Sequence, residues 1–212
     1  MAEVKVLIRG YAKKLVNGWL ASSSTALIID KKIKVIADPG TNRSLLINKL
    51  KKEGLNLDDI DFVFMTHYHP DHNILMGIFK KAKILDDEVI YFKDKQYEHN
   101  KIIPGTTIKI ISTPGHSGFH GSLLIPTYKG NIVFAGDLFW WSDEEKQETK
   151  HLNSLIKHKD IFAKDVDKLE KSRKKILKIA DWVIPGHGKM FKVFKGQLII
   201  KSKNWRWKII LS

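Results

Sequence analysis

A single α/β domain spanning residues 1–212 is the fold that the sequence predicts, on three observations. Short apolar runs of strand length alternate along the chain with a few stretches of helical periodicity. A length of 212 residues with 43% hydrophobic content suits one core. No low-complexity linker, repeat of solenoid length or abrupt change of composition divides the chain.

The elements follow in order. Runs at 4–8, 26–29 and 33–37 have strand character, and the last enters the turn Asp38-Pro39-Gly40. Residues 45–50 carry helical spacing, and Gly54 supplies a stop. The apolar run 62–65 is too brief for a helix and delivers the chain into His67-Tyr68-His69-Pro70-Asp71-His72. Strands are expected at 89–92, 108–111, 123–125 and 132–135. Between 165 and 180, Val166, Leu169, Ile176 and Ala180 share one helical face, while Lys168, Lys171, Lys174, Lys175 and Lys178 cover the remainder. Residues 182–184 form another short strand that leads into Pro185-Gly186-His187-Gly188, and the tail is expected to add strands at 197–200 and 205–211, turned at Lys203-Asn204.

Composition narrows the chemistry. Cysteine is absent, so disulfides and thiolate ligands are excluded and any metal must be held by imidazole and carboxylate. A formal charge of +14 would attract polyanions, with nucleic acid the obvious candidate. Only four residues are arginine and 33 are lysine, so the charge alone fits a solvated lysine-rich surface equally well. No early apolar stretch resembles a signal peptide and no run approaches the roughly 20 apolar residues of a membrane span, so a cytoplasmic protein without a membrane partner is expected.

Histidine is the commonest metal ligand, and three of the nine histidines lie within six residues. From one loop His67 and His69 can converge on one ion while Asp71 and His72 turn toward a second. Three later segments place a ligand type at a strand end: Thr113-Pro114-Gly115-His116, Phe134-Ala135-Gly136-Asp137 and Pro185-Gly186-His187-Gly188. Taken singly, Asp137 could cap a helix and His187 could be a hydrogen-bonded core histidine. Their joint occurrence, in order, favours a metal site.

This series of HxHxDH, TPGH, GD and PGHG resembles the metallo-β-lactamase superfamily over nearly the whole chain. The resemblance implies a four-layer αββα sandwich with two Zn²⁺ ions, or other divalent metals, at one edge. His67, His69 and His116 would hold one ion, Asp71, His72 and His187 the other, and Asp137 would bridge them. Asp38, in a turn like the family's DTG element, would organise the site floor. The stretch from Leu169 to Leu177, with the PGHG that follows, is similar to the small metallo-β-lactamase domain-containing proteins, a subgroup near glyoxalase II that includes ribonucleases. Ile74 stands where the family usually has glycine, which would alter the start of a following helix.

Two zinc ions bridged by a hydroxide would supply a nucleophile at neutral pH, with Asp71 as the catalytic residue that orients it or takes its proton. The net charge and the subgroup favour a phosphodiesterase or ribonuclease acting on RNA. The alternatives are a glyoxalase II-like thioesterase, a β-lactamase or other small-molecule esterase, and a metal-bound RNA-binding scaffold without catalysis. Trp140 and Trp141 could stack on bases or pack in the core. His151, His158, Lys150 and Lys157 are expected on the surface of a nearby helix.

Overall fold

The computed structural model describes residues 1–195, so the expected tail strands lie outside the described residues. The first half runs through strand β1 (Glu3–Ile8), a hairpin of β2 (Tyr11–Leu15) and β3 (Gly18–Ser22), then β4 (Thr25–Asp30) and β5 (Ile33–Ala37). Helix α1 (Arg43–Lys52), strand β6 (Phe62–Phe64), helix α2 (Pro70–Asn73) and strands β7 (Lys83–Leu85), β8 (Val89–Phe92) and β9 (Lys95–Glu98) complete it. The second half contains β10 (Lys109–Ser112), β11 (Gly121–Thr127), β12 (Gly130–Trp140), α3 (Leu152–Lys157), α4 (Val166–Ile179), β13 (Trp182–His187) and β14 (Phe191–Lys192).

Two sheets result, ordered β1-β4-β5-β6-β7-β8-β9 and β10-β11-β12-β13-β14, with β2 and β3 paired separately. The period-2 alternation of side chains explains their stacking. Ala26, Ile28, Phe62 and Phe64 of the first sheet meet Ile110, Leu123, Phe134 and Ile184 of the second in one core. The intervening residues point outward: Leu27, Ile36 and Val63 pack on Leu46 and Leu50 of α1. Val133, Ala135 and Val183 likewise pack on Leu169, Ile176 and Leu177 of α4. The layers therefore run helix, sheet, sheet, helix, as expected, and strands buried on both faces read as continuous apolar runs.

Some elements differ from the sequence reading. Strand β12 does not stop at Ala135 but continues through Gly136 and Asp137 to Trp140, with irregular register against β13 on either side of Gly136. Ile74 takes ordinary helical dihedrals (φ −56°) at the end of α2, and its side chain is 62% exposed, so nothing at that position calls for glycine. Val166 begins α4 exposed rather than on the core face. Among the described residues no helix is long and apolar enough to cross a membrane.

Candidate metal centre

The strand ends converge at one edge of the sandwich. His67 follows β6, Asp71 and His72 lie on the single turn of α2, His116 follows β10, Asp137 sits within β12, and His187 ends β13. These seven side chains form two groups whose donor atoms lie within 4.8 Å of one another: His67, His69, His116 and Asp137 in one, Asp71, His72 and His187 in the other. Asp137 faces both. Its Oδ2 lies 3.4 Å from His116 Nε2 and 3.9 Å from His67 Nε2, whereas Oδ1 lies 3.2 Å from His72 Nε2 and 3.5 Å from His187 Nε2. Asp71 Oδ2 is 3.2 Å from His187 Nε2. Gly186 makes this approach possible, because a Cβ there would stand 1.8 Å from Asp137 Oδ1.

Outer partners fix each ring so that its other nitrogen faces inward. His72 Nδ1 donates to Asp38 Oδ2 at 2.7 Å, His116 Nδ1 to Asp160 Oδ2 at 2.7 Å, and His187 Nδ1 to the Tyr11 carbonyl at 3.0 Å. His67 Nδ1 is 3.0 Å from Thr66 Oγ1, whose own hydrogen goes to Asp38 Oδ2. His69 turns the other way, with Nδ1 3.1 Å from His116 Nε2. The inward atoms His67 Nε2, His72 Nε2 and Asp137 Oδ1 are buried and have no hydrogen-bond partner. Converging, unpartnered lone pairs of nitrogen and carboxylate oxygen are what divalent cations bind, so the residues fit a pair of metal ions.

Protonation favours the same use. Burial, reinforced by His72, holds His67 neutral far below the usual histidine range, and burial with His116 lowers His69. Burial opposes ionisation of Asp137, but His72 and His187 overcome it and keep the carboxylate charged. His72 behaves oppositely: burial disfavours its proton, yet Asp137 and Asp38 raise it well above the ordinary value.

Asp38 occupies the floor position expected of it. It is fully buried with a left-handed φ of +46°, and it accepts hydrogen bonds from Thr66 N and Thr66 Oγ1 as well as His72. Sequence reasoning missed Asp160, Thr66 and His120. Asp160 follows His116 by 44 positions, in the loop before α4, where no spacing marks it. His120 stacks on His67 with ring centroids 5.2 Å apart, and burial, with His116 adding to it, lowers its pKa to about 3.

A cleft of about 400 Å³ opens onto Asp71, Asp137 and His187. Its walls are Trp19 and Ala21 of the hairpin, Trp140 of β12 and Phe162 of the loop before α4. Trp140 and Phe162 lie 5.6 Å apart by ring centroid, and Trp19 meets both edge-on at 6.3 and 5.9 Å. The adjacent Trp141 points away, packing at 5.8 Å on Phe191 and 5.1 Å on His158 in the core beneath α4. Of the two tryptophans, Trp140 lines this cleft and Trp141 does not. His158 is half-buried rather than a surface residue, and its Nε2 donates to the Trp140 carbonyl at 2.8 Å.

Comparison with known proteins agrees with this architecture. A model of the metallo-β-lactamase superfamily matches residues 18–101. The metallo-β-lactamase domain-containing protein 1 of Xenopus laevis is 32% identical over 206 residues, covering 92% of this chain and 84% of its own. The chain belongs to the metallo-β-lactamase superfamily. The mouse protein of the same name is 30% identical over 90% of this chain and 74% of its own. Among solved metallo-β-lactamase folds, a Thermotoga maritima structure described as a candidate metallo-β-lactamase superimposes with a TM-score of 0.66 at 21% identity, over 90% of this chain and 99% of that one. A dizinc quorum-quenching lactonase superimposes at 0.55 with 17% identity, over 80% and 74% of the two chains.

Proposed function

We propose that this metallo-β-lactamase superfamily member is a two-metal hydrolase that cleaves phosphodiester bonds of single-stranded RNA. The observation that carries the proposal is an aromatic-walled cleft opening directly onto two convergent ligand groups. His67, His69 and His116 would hold one zinc ion, Asp71, His72 and His187 the other, with Asp137 between them. The structural relatives include a dizinc lactonase and a protein in a di-iron form, which supports a pair of metals and leaves zinc as our choice. When bound, two such cations supply Lewis-acid activation of water and of the scissile group's oxygen.

The protein's own contribution is position and proton handling. Asp71 lines the cleft and is only partly exposed. Burial opposes its ionisation, but the hydrogen bond with His187 prevails and keeps it a carboxylate, the form that accepts a proton as general base. Phe162 is exposed and Trp19 partly so, and with the largely buried Trp140 they form an apolar wall for one base beside the cleavage point. The net charge of +14 supplies long-range attraction for the remaining phosphates.

A second reading, a small thioester, lactone or β-lactam substrate, is favoured by the absence of lysine and arginine among the described residues that line this cleft. Salt dependence separates the two. Each phosphate neutralised on a single strand contributes a log-log slope of about −0.7, so RNA cleavage under subsaturating conditions should weaken steeply between about 50 and 200 mM salt. Hydrolysis of a small chromogenic ester should change little. Rapid thioester turnover with no metal-dependent RNA cleavage at low salt would replace the first reading with the second.

A further inference from the structure

Helix α4 carries a buried arginine that the proposed chemistry does not use. Arg173 is 1% exposed, and its guanidinium is met by carbonyl oxygens rather than by a paired carboxylate. Nε donates to Leu138 O at 2.7 Å, and Nη1 donates to Ile156 O at 3.2 Å and His158 O at 2.5 Å. Burial lowers its pKa to about 10, so it stays charged at neutral pH. A buried charge is costly unless fixed dipoles face it, and these three carbonyls meet Nε and Nη1 while Nη2 is buried without a partner.

Where the carbonyls lie is informative. Leu138 follows Asp137 directly. Ile156 and His158 lead into the loop that carries Asp160, the partner of His116 Nδ1, and Phe162, a wall of the cleft. The preceding residue, Ser172, donates to Pro114 O at 2.7 Å, two positions before His116. Gly115 lies so close to α4 that a Cβ would stand 2.2 Å from Leu169 N, and its carbonyl accepts from Lys164 N and Asp165 N at 2.9 and 3.0 Å. One face of one helix thus ties down three segments: those bearing His116 and Asp137, and the Asp160–Phe162 loop. The other group is held differently, through Asp38 on His72 and the Tyr11 carbonyl on His187.

We infer that Arg173, with Ser172 beside it, is a positioning residue for His116, Asp137 and the Phe162 wall, so that the His67–His69–His116–Asp137 group depends on it more than the Asp71–His72–His187 group, which it reaches through Asp137 alone. The inference rests on the metal-binding reading above. A planar fork of donors reaches carbonyls on two segments at once, which a lysine ammonium at the end of a flexible stem does not reproduce.

Zn²⁺ affinity, measured by chelator competition in two backgrounds, tests the inference. His187→Ala cripples the second group and reports on the first, and His116→Ala does the reverse. Arg173→Met and Arg173→Lys should each weaken Zn²⁺ in the His187→Ala background by about 10- to 100-fold, the usual cost of losing an outer support of a ligand. In the His116→Ala background, where Asp137 alone links the remaining group to Arg173, the loss should be clearly smaller. Ser172→Ala should act in the same direction with a smaller effect, and it keeps the test decisive if the Arg173 variants do not fold. Unchanged affinity at the first group in folded Arg173→Lys and Ser172→Ala, or equal weakening at both groups, would overturn the inference while leaving the metal reading intact. A wild-type chain that takes up no metal would overturn the metal reading and this inference with it.

Discussion

Asp38 and Asp160 do the same task on opposite sides of the centre, and they are held in place by different means. Each is a carboxylate accepting a 2.7 Å hydrogen bond from the Nδ1 of a buried histidine. Asp38 is fixed within the first sheet: its backbone N donates to Phe64 O at 2.9 Å, its carbonyl accepts from Thr25 Oγ1 at 2.7 Å, and its side chain accepts from Thr66 twice. Asp160 sits in a loop between helices, and that loop is secured by Arg173 from beneath. One half of the centre is therefore built on sheet hydrogen bonds, and the other on a helix-anchored loop. The second arrangement leaves room for the loop to carry a cleft wall as well, in Phe162.

The largest expected effect separates chemistry from support. Asp71→Asn should lower turnover by about 10² to 10⁴, the usual contribution of a general base, with much less change in substrate affinity. Steady-state kinetics check this, and an unchanged rate would reassign Asp71 to holding metal alone. The two tryptophans come next. Trp141→Ala should destabilise the fold by about 3–5 kcal/mol in chemical denaturation, because it empties a core position. Trp140 is buried as well, so Trp140→Ala should also destabilise the fold, and it should in addition weaken RNA binding by about 1–3 kcal/mol if a base stacks there. Equal effects of the two on RNA binding would contradict the assignment of Trp140 to the cleft.

These contrasts also mark how far the sequence could be read. The seven candidate ligands and their order were legible because each stands in a short motif at a strand end, where local chemistry and spacing coincide. The four layers followed from the resemblance to the metallo-β-lactamase superfamily. Asp160 and Arg173 were not legible, since each acts through one or two hydrogen bonds to segments distant in sequence and leaves no periodic trace. In α4 the spacing of Leu169, Ile176 and Ala180 identified the core face, yet Arg173 looked like one more cation among lysines. The β2–β3 hairpin was overlooked although Asn17-Gly18 at its turn was a usable signal. Trp141 could not be separated from Trp140, because the two part where β12 ends at Trp140, and that needs the strand to run on past Asp137.

The smaller effects compare the two ligand groups directly. Asp38→Asn should weaken metal at the His72 side, and Asp160→Asn at the His116 side, each by about 10- to 100-fold. The Asp38 change should also lower the melting temperature more, since its carboxylate joins Thr66 to the site as well as His72. The pH dependence should differ too. Metal must displace any proton from its ligand, so affinity rises by about tenfold per pH unit while one proton is being released. Burial lowers His67 and His69, so neither should have a proton to release to the metal at the ordinary histidine value near 6.5. Burial lowers His72 as well, but Asp137 and Asp38 outweigh it and raise the pKa, so affinity at that group should keep climbing above 6.5. Competition titrations at several pH values, with one group disabled at a time, read this difference.

Metal content is the most direct test of the whole account. Elemental analysis of the purified chain after equilibration with Zn²⁺ should find close to two ions, as expected for two convergent ligand groups. Asp137→Ala, which removes the carboxylate facing both groups, should lose metal at both together with turnover. Full hydrolytic activity in a chelated, metal-free sample, or two retained ions in Asp137→Ala, would contradict the assignment.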